Sequence, residues 1–310
     1  MRPAPVRGPA PRPRLNKHGY YVGRVEGNLY RVTDLTYQCA FLATPDGVVL
    51  FDAPPSIGHN IQRAINEVAA ISGVSNRVSH LIYSHHHADH AGASSLFGEH
   101  ITRIGHEGTR ALLLRDDDPA RPAPEETFQD RCSLEIGGER VELAWHGPNH
   151  SPDNIFIHLP GHAALMLVDI ITPGSAAICQ GNLADDVPGY IEAVDIALTY
   201  PWKHFIAGHV GRLGTRVDVA THRRYLADIV ESSREALGNV DPSQYSGDGD
   251  DDSWAAMRRY LDAVTAVAAG PIIEKYSGVL AATDAFTAGT TFLLLQSARL
   301  DLGVGSKVHP

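Results

Sequence analysis

Short apolar runs separated by turn residues fill the first two thirds of the chain, and each has the length and composition of a β-strand. The runs that predict strands are NLYRVTD, CAFLATPDG, VVLFDAP, VSHLIYSH, CSLEIGG, RVELAWH, NIFIHLP, AALMLVDII and KHFIAGHVG. Helical spacing of apolar residues predicts helices at about Asn60–Ser72, at 106–114 and over PGYIEAVDIALTY. The longer predicted loops are 115–127, rich in proline and acid, and 172–187. The pattern therefore predicts many short strands interspersed with a few helices.

The pattern becomes helical past Gly214, where no strand-like run remains. Residues 216–238 and 253–300 have helical spacing, and a polar loop, DPSQYSGDGDDD, separates them. An apolar stretch near the end must be buried against something; it holds Leu293, Leu294, Leu295 and Leu300. We expect these helices either to cover a functional site or to form an interface between copies of the chain.

Composition limits the partners of the chain. With 310 residues and 43% hydrophobic residues, it is long enough for one large or two small domains with a real core. Its formal charge is −10, and the first seventeen residues hold five of its 26 basic residues and no acid. The remaining 21 basic and 36 acidic residues give the rest of the chain a charge of −15, which disfavours binding to nucleic-acid phosphates. We expect no nucleic-acid partner.

Cysteine usage and hydropathy indicate a reducing compartment. The three cysteines, Cys39, Cys132 and Cys179, are widely spaced and form no CxxC pair, which disfavours a disulfide framework or a thiolate zinc site. The opening MRPAPVRGPAPRPR has positive charge but no apolar region after it, unlike a secretory signal, and residues 1–18 are predicted to be a disordered tail. No run approaches the ~18 apolar residues of a membrane span. These features predict a cytoplasmic protein without a membrane anchor.

Four histidines and an aspartate occur within six residues, directly after a predicted strand, in the segment SHHHADHAG. They are His85, His86, His87, Asp89 and His90. In a chain with 17 histidines, HxHxDH would arise by chance roughly once in a few hundred such sequences. Imidazole nitrogens with a carboxylate oxygen suit zinc, with iron or manganese as the next choices. The alternative is a solvated histidine-rich loop with loose metal affinity.

Three later segments strengthen the metal interpretation. His150 lies in a turn between two strands, in WHGPNHSPDN. Nineteen residues further on, Asp169 ends the apolar run LMLVD, and forty residues after that His209 follows another strand, in FIAGHVG. Because each segment follows or ends a buried-looking strand, these side chains can converge at one edge of a sheet.

The order HxHxDH, lone His, Asp and Gly-His resembles the metallo-β-lactamase superfamily over roughly residues 19–214. The resemblance implies an α/β fold, an αββα sandwich with a dinuclear site at one edge. It also implies a catalytic domain over 19–214, followed here by a helical segment over 215–310. Carried over position by position, His85, His87 and His150 hold the first metal. Asp89, His90 and His209 hold the second, and Asp169 bridges the two.

This ligand set predicts hydrolysis by two Zn²⁺ per chain. Two divalent cations that share a water lower its pKa toward neutrality and present hydroxide to an electrophilic carbonyl. Asp89 is the predicted catalytic residue, because it can hold and orient the nucleophile while remaining a ligand. The expected substrate is a small molecule with a lactone, ester or thioester bond.

Within the superfamily, alternative activities stay open. A β-lactamase-like hydrolase is disfavoured by Asp169, because zinc β-lactamases generally use Cys or Ser in that region. A mononuclear-iron oxidoreductase of the persulfide-dioxygenase kind is separated from the zinc enzymes by its metal content. Thr172 stands where many quorum-quenching lactonases carry Tyr.

The substrate pocket is expected from the loops 172–187 and 115–127 and from the C-terminal helices. Aromatic or polar residues predicted near the metal edge, chiefly with structural roles, are Asn182, Tyr190, Tyr200 and Trp202.

Other histidines and acids are expected to lie outside the metal site. Alternation along an extended loop points His86 away from its neighbours. His146 competes with His150, and the Ser-Pro-Asp-Asn that follows favours His150. The acidic stretch 248–252 fails the EF-hand pattern, because the sixth position is Ser253 and the twelfth is Arg259.

Overall fold

Two β-sheets lie at the centre of the computed structural model, which describes residues 13–245, 253–301 and 303. The first sheet has seven strands in chain order: β1 (Tyr21–Glu26), β2 (Leu29–Thr33), β3 (Gln38–Thr44), β4 (Gly47–Phe51), β5 (Val78–Ile82), β6 (Thr102–His106) and β7 (Glu126–Phe128). The second has five, in the spatial order β12-β11-β10-β9-β8: β8 (Arg131–Ile136), β9 (Glu139–Ala144), β10 (Phe156–Leu159), β11 (Ala164–Met166) and β12 (His204–Ile206).

Eight helices occur in the described residues. They are α1 (His59–Ser72), α2 (Ala88–Ala91), α3 (Glu107–Asp116), α4 (Ile178–Leu183), α5 (Val187–Thr199), α6 (Arg216–Asn239), α7 (Ser253–Tyr276) and α8 (Thr283–Leu300). Among them, α1 packs against the first sheet and α5 against the second. The start of α6 carries a capping box, in which Thr215 and Asp218 satisfy each other's backbone N–H groups. Short 3₁₀ turns occupy Ser94–Phe97, Pro160–His162 and Pro242–Tyr245.

Strand direction changes within each sheet. Strands β1 to β4 pair antiparallel, whereas β4 to β7 pair parallel. In the second sheet β8 to β11 are antiparallel, and β11 and β12 are parallel. Parallel neighbours need crossover connections, which α1 supplies between β4 and β5. After the carboxyl ends of β5 and β12, the chain leaves each sheet in a loop.

Side chains of the two sheets interlock to form the central apolar layer. Leu42, Val49 and Ile82 of the first sheet share one cluster with Ile157 and Met166 of the second. All of β3 is buried, because its other face packs toward α1. This double burial explains its nearly continuous apolar sequence. Each fully buried aliphatic side chain contributes about 1.5–3 kcal/mol through burial.

The predicted αββα sandwich with a helical C-terminal segment is confirmed. Beyond the second sheet, Phe156 and Phe205 point outward into a cluster with residues of α5, α6 and α8. Leu294 and Leu295 are buried, whereas Leu300 is 76% exposed, so the expectation that the whole leucine stretch is buried was wrong for Leu300. The C-terminal helices thus extend the outer layer over the second sheet.

Several element predictions were incomplete. Strands β1, β6 and β7 were not among the predicted runs. The helical stretch 253–300 divides into α7 and α8. The predicted loop 172–187 contains α4, in which Gln180, Asn182 and Leu183 have positive φ angles of 54–58° and form a left-handed turn. Residues 1–12 of the predicted tail and the acidic stretch 248–252 lie outside the described residues.

None of the helices in the described ranges combines the length and the apolar character that a bilayer crossing requires.

Candidate metal centre

Four predicted ligands form a first group, His85, His87, His150 and Asp169, whose ligand atoms all lie within 4.8 Å of one another. His85 and His87 follow the carboxyl end of β5, and His150 lies in the connection between β9 and β10. Asp169 comes three residues after β11. Strand ends of both sheets therefore supply this group, as expected for side chains that meet at one edge.

A second group, Asp89, His90, Asp169 and His209, meets the same 4.8 Å criterion. Asp89 and His90 lie on the single turn α2, and His209 follows β12. Asp169 belongs to both groups. The structure thus brings all seven predicted residues together in two groups that share one carboxylate.

Asp169 is the centre of this arrangement. Its Oδ2 lies 3.1 Å from His90 Nε2 and 3.3 Å from His150 Nε2, and its Oδ1 lies 3.2 Å from His209 Nε2. The His85 ring nitrogen is 3.8 Å from Oδ2. A single buried carboxylate therefore faces four imidazoles, two from each group.

The donor atoms fit divalent cations. His85 Nε2 is buried and makes no hydrogen bond within the described chain. His150 Nε2 and His87 Nδ1 converge to 3.0 Å. Buried polar atoms without partners are rare, because each costs free energy unless something satisfies it. Five imidazoles and two carboxylates are a donor set that suits zinc.

Protonation equilibria agree with this role for the first group. Burial holds the pKa of His85 well below its usual range. Burial and the neighbouring His150 lower the pKa of His87 to about 4. Both rings are therefore neutral at pH 7, with lone pairs available to a cation.

The shared carboxylate behaves differently. Burial alone would lower the pKa of His90, but its pairing with Asp169 prevails and raises the value to about 9. Burial would likewise raise the pKa of Asp169, yet His90 and the hydrogen bond from His209 hold it well below its usual range. Without a metal, an imidazolium and a carboxylate pair here, and a cation at the second group would replace that proton.

Residues around the first group hold its loop in place. His85 Nδ1 lies 2.9 Å from Ser84 Oγ, which leaves Nε2 free to face Asp169. His86 lies outside both groups, and its Nδ1 pairs with Asp153 Oδ1 at 2.9 Å. Arg121, from the loop 115–127, donates to the His86 carbonyl at 2.7 Å. The ring of His86 thus turns away from the two ligand groups and toward Asp153, while the rings of His85 and His87 face the ligand groups.

Comparison with known proteins agrees with this geometry. Residues 32–175 match the sequence model of the family described as "Metallo-beta-lactamase superfamily". Residues 32–175, a little under half of the chain, therefore belong to the metallo-beta-lactamase superfamily. The His/Asp groups of the chain are those of a metallo-hydrolase-like member with a candidate site for divalent metal.

Solved structures show the same fold. A metallo-beta-lactamase from Pontibacter korlensis superposes with a TM-score of 0.57 at 18% identity, covering 66% of this chain and 97% of that one. The metallo-beta-lactamase IND-7 superposes with a TM-score of 0.56 at 20% identity, covering 65% and 95%. The shared part is about two thirds of this chain.

Two curated relatives match this chain over smaller shares of their own length. The "2,4-dinitroanisole O-demethylase subunit alpha" of Nocardioides sp. (strain JS1661) is 26% identical over 198 residues, 62% of this chain and 58% of that protein. The "Probable metallo-hydrolase YqjP" of Bacillus subtilis (strain 168) is 32% identical over 66 residues, 21% of each chain. This chain therefore spans less than two thirds of the length of these curated relatives.

The four aromatic or polar residues predicted near the metal edge divide into two sets. Asn182 donates to the Asp169 carbonyl at 2.9 Å, and the Tyr190 hydroxyl donates to the Ile170 carbonyl at 2.8 Å, so both support the segment that carries Asp169. Tyr200 instead lies 2.8 Å from His146 Nε2, and Trp202 is buried among the outer residues of the second sheet. Only the first pair lies next to the metal centre.

Cavities border the two loops, 172–187 and 115–127, that were predicted to form the substrate pocket. One of about 420 Å³ lies between residues 184–188 and the end of α8, and another of about 420 Å³ is lined by Leu113, Asp117 and Arg121. Neither lining includes any of the seven candidate ligands. The substrate pocket assigned to these loops stays a prediction.

Tyr37 is the site residue that sequence reasoning missed. It precedes β3, and its hydroxyl donates to Asp89 Oδ2 at 3.3 Å. Its ring centroid lies 4.6 Å from that of His209. Burial and the Asp89 carboxylate raise the pKa of Tyr37 to about 12, so it remains a phenol at neutral pH. No sequence signal marked it, because a single tyrosine before a strand is ordinary.

We expect zinc to stabilise this superfamily member. Cations that bind only the folded chain add about 2.7 kcal/mol per site at a free concentration of 100 times the dissociation constant. Thermal unfolding of chelator-treated protein, repeated with increasing zinc, measures this as a rising midpoint. His150→Gln should reduce the rise, whereas His100→Gln, at an exposed position, should leave it unchanged. A midpoint independent of zinc would show that the two groups bind no metal.

Proposed function

We propose that this protein is a dinuclear zinc hydrolase that cleaves a lactone, ester or thioester bond in a small molecule. The observation that carries the proposal is the pair of ligand groups that share Asp169. One group alone would be consistent with a mononuclear site. Two groups joined by a carboxylate favour two cations at a short distance, which is the arrangement that activates a shared water.

The residues have distinct roles in this proposal. His85, His87 and His150 hold one cation, Asp89, His90 and His209 hold the other, and Asp169 contributes to both. Bound there, two zinc ions supply a water of lowered pKa and polarise the scissile carbonyl.

Asp89 is the proposed catalytic residue. Its side chain is 43% exposed, against 5% for Asp169, so it has the access to solvent that a reacting water requires. One carboxylate oxygen faces the Tyr37 hydroxyl. Asp89 orients the water and accepts its proton.

Hydrolysis of an activated aryl ether is a second candidate. It rests on the 26% identity, over 198 residues, with the relative named as a 2,4-dinitroanisole O-demethylase subunit. Hydrolysis of such an ether adds water across a C–O bond and releases an alcohol and a nitrophenolate, whose charge the nitro groups delocalise. The chemistry of the same metal centre would serve both substrate classes.

Turnover by zinc-loaded protein tests the proposal. The panel contains homoserine lactone, an aryl ester, a glutathione thioester, a β-lactam and 2,4-dinitroanisole, with acid or phenolate release as the readout. We expect one class to be hydrolysed, with Asp89→Asn reducing kcat by about 10²–10⁴-fold, the range for a lost general base. Asp46→Asn, in the exposed turn between β3 and β4, is the matched control. β-Lactam turnover alone would support the β-lactamase-like alternative.

Metal content separates the hydrolase from the oxidoreductase alternative. Two zinc ions per chain support the proposal. One iron per chain, with no turnover on the panel, would instead favour an iron oxidoreductase of the persulfide-dioxygenase kind.

A further inference from the structure

The segment before β3 holds the backbone of His209 on both sides. The Gln38 N–H donates to the Gly208 carbonyl at 2.9 Å, and the Val210 N–H donates to the Thr36 carbonyl at 3.1 Å. Tyr37 and His209 form an antiparallel bridge between these bonds. This ligand of the second group therefore takes its position from residues far away in sequence.

Local hydrogen bonds shape that segment. Asp34 Oδ1 accepts from the N–H groups of Thr36 and Tyr37, each at 2.8 Å. The Thr33 hydroxyl donates to the Tyr37 carbonyl at 2.6 Å and accepts from the Leu35 N–H at 2.8 Å. Leu35 has a φ of 78°, a left-handed conformation that costs of order 1–3 kcal/mol outside glycine. The chain thus maintains a strained turn whose result is a fixed position for Tyr37.

The side chain of Tyr37 then reaches three members of the second group. Its hydroxyl lies 3.3 Å from Asp89 Oδ2. Its ring lies 4.6 Å from that of His209 and 5.6 Å, edge-on, from that of His90. Its described hydrogen bonds and ring contacts do not include the histidines of the first group.

The two groups also differ in how firmly the surrounding protein holds them. The side chains of Asp89 and His209 are 43% and 15% exposed. In the first group His85 and His150 are 0% and 5% exposed and His87 alone is partly exposed, whereas in the second group only His90 and the shared Asp169 are buried. A partly exposed side chain keeps more rotamer freedom, which must be lost when a cation binds. The second group therefore depends more on neighbours that restrict its ligands.

We propose that Tyr37 is a positioning residue for the second group, so that tight binding of the second cation, and not of the first, depends on its hydroxyl and ring. The hydroxyl fixes one oxygen of Asp89 and leaves the remaining lone pairs for the cation. The ring fixes the plane of the His209 imidazole. This inference rests on the two-metal site of the proposed function and adds the residue on which tight binding of the second cation depends.

Metal titration of chelator-treated protein tests the inference without any substrate. Zinc affinity is measured by calorimetry, and cobalt(II) absorption reports the ligand geometry at each equivalent. Wild type should bind two equivalents. Tyr37→Phe keeps the ring and should weaken the second equivalent by about 10-fold or more, the range for lost outer-shell partners, with the first unchanged. Tyr37→Leu, which loses both contacts, should weaken it further.

Tyr30→Phe is the matched control, because Tyr30 lies on β2 and its hydroxyl pairs with Arg24, away from both groups. It should bind both equivalents as wild type does. The unchanged first equivalent also verifies that Tyr37→Phe is folded. Equal weakening of both equivalents, no weakening, or a single equivalent in wild type would each overturn the inference. Absence of turnover on every substrate, with two metals bound and the second sensitive to Tyr37, would refute the proposed function alone.

Discussion

Asp169→Asn is expected to remove the second metal entirely and to weaken the first by at least about 100-fold, the upper end of the cost of a lost outer-shell partner. The substitution preserves the shape of the side chain and deletes its charge. That charge faces both ligand groups, with oxygens 3.1–3.3 Å from His90, His150 and His209. Two divalent cations held by five neutral imidazoles would have Asp89 as the one remaining carboxylate ligand. Calorimetric zinc titration and metal analysis after gel filtration measure the loss.

The same variant should change the protein without metal. The pKa of His90 is raised to about 9 by Asp169, so the pair stabilises the folded chain below pH 6.5, and this stability falls as pH rises toward 9. Asp169→Asn should reduce that slope in chelator-treated protein. Asp195→Asn, an exposed carboxylate paired with Arg223, is the matched control for the change in net charge. Wild-type zinc binding by Asp169→Asn would show that the metals do not lie between these groups.

The candidate ligands could be predicted because HxHxDH, a lone His, an Asp and a Gly-His follow predicted strands in an order that resembles the metallo-β-lactamase superfamily. VSHLIYSH places His85 just past a strand, and FIAGHVG does the same for His209. Polar residues at the ends of buried strands have few structural roles, so their convergence was a strong expectation. Local order along the chain carried this information, and the structure supplies the distances that sequence could not.

Tyr37 could not be predicted in the same way. Its role depends on the pairing of residues 36–38 with Gly208 and Val210, which lie about 170 residues further along the chain. The left-handed turn in α4 escaped prediction for a related reason. Gln180 and Leu183 have no intrinsic preference for positive φ, and tertiary contacts impose it, such as the bond from the Gly181 N–H to Thr290.

Strand β7 was missed for a different reason. It is three residues long, lies at the edge of its sheet and is exposed at two of its three positions. Unlike the equally short β11 and β12, it lies in no apolar run, and three residues give too little alternation to distinguish a strand from a loop. The C-terminal helices, in contrast, were predicted from the spacing of their apolar residues. The break after Tyr276 was not predicted, because the proline in this stretch, Pro271, lies inside α7 and does not mark its end.

Gly208→Ala is expected to lower the free energy of unfolding by about 1–3 kcal/mol, the usual cost of an added methyl group in a filled core. A Cβ atom there would lie 2.5 Å from Val168 Cγ1, 2.6 Å from His90 Cε1 and 2.9 Å from Asp169 Oδ1. All three neighbours are at least 90% buried and cannot move aside freely. Chemical denaturation monitored by circular dichroism measures the difference.

The direction of the forced movement makes this variant informative about the metals. Relief of the contacts must displace the chain that carries His209 or the side chains of His90 and Asp169, and all of these belong to the second group. Zinc titration should therefore show a weakened second equivalent, while His85, His87 and His150 still bind the first. Gly238→Ala is the matched control, because nothing lies within 4 Å of its added methyl group and alanine favours a helix by about 0.5–1 kcal/mol. If Gly208→Ala retains wild-type stability and binds both equivalents tightly, the close approach of this glycine to the second group does not govern metal binding.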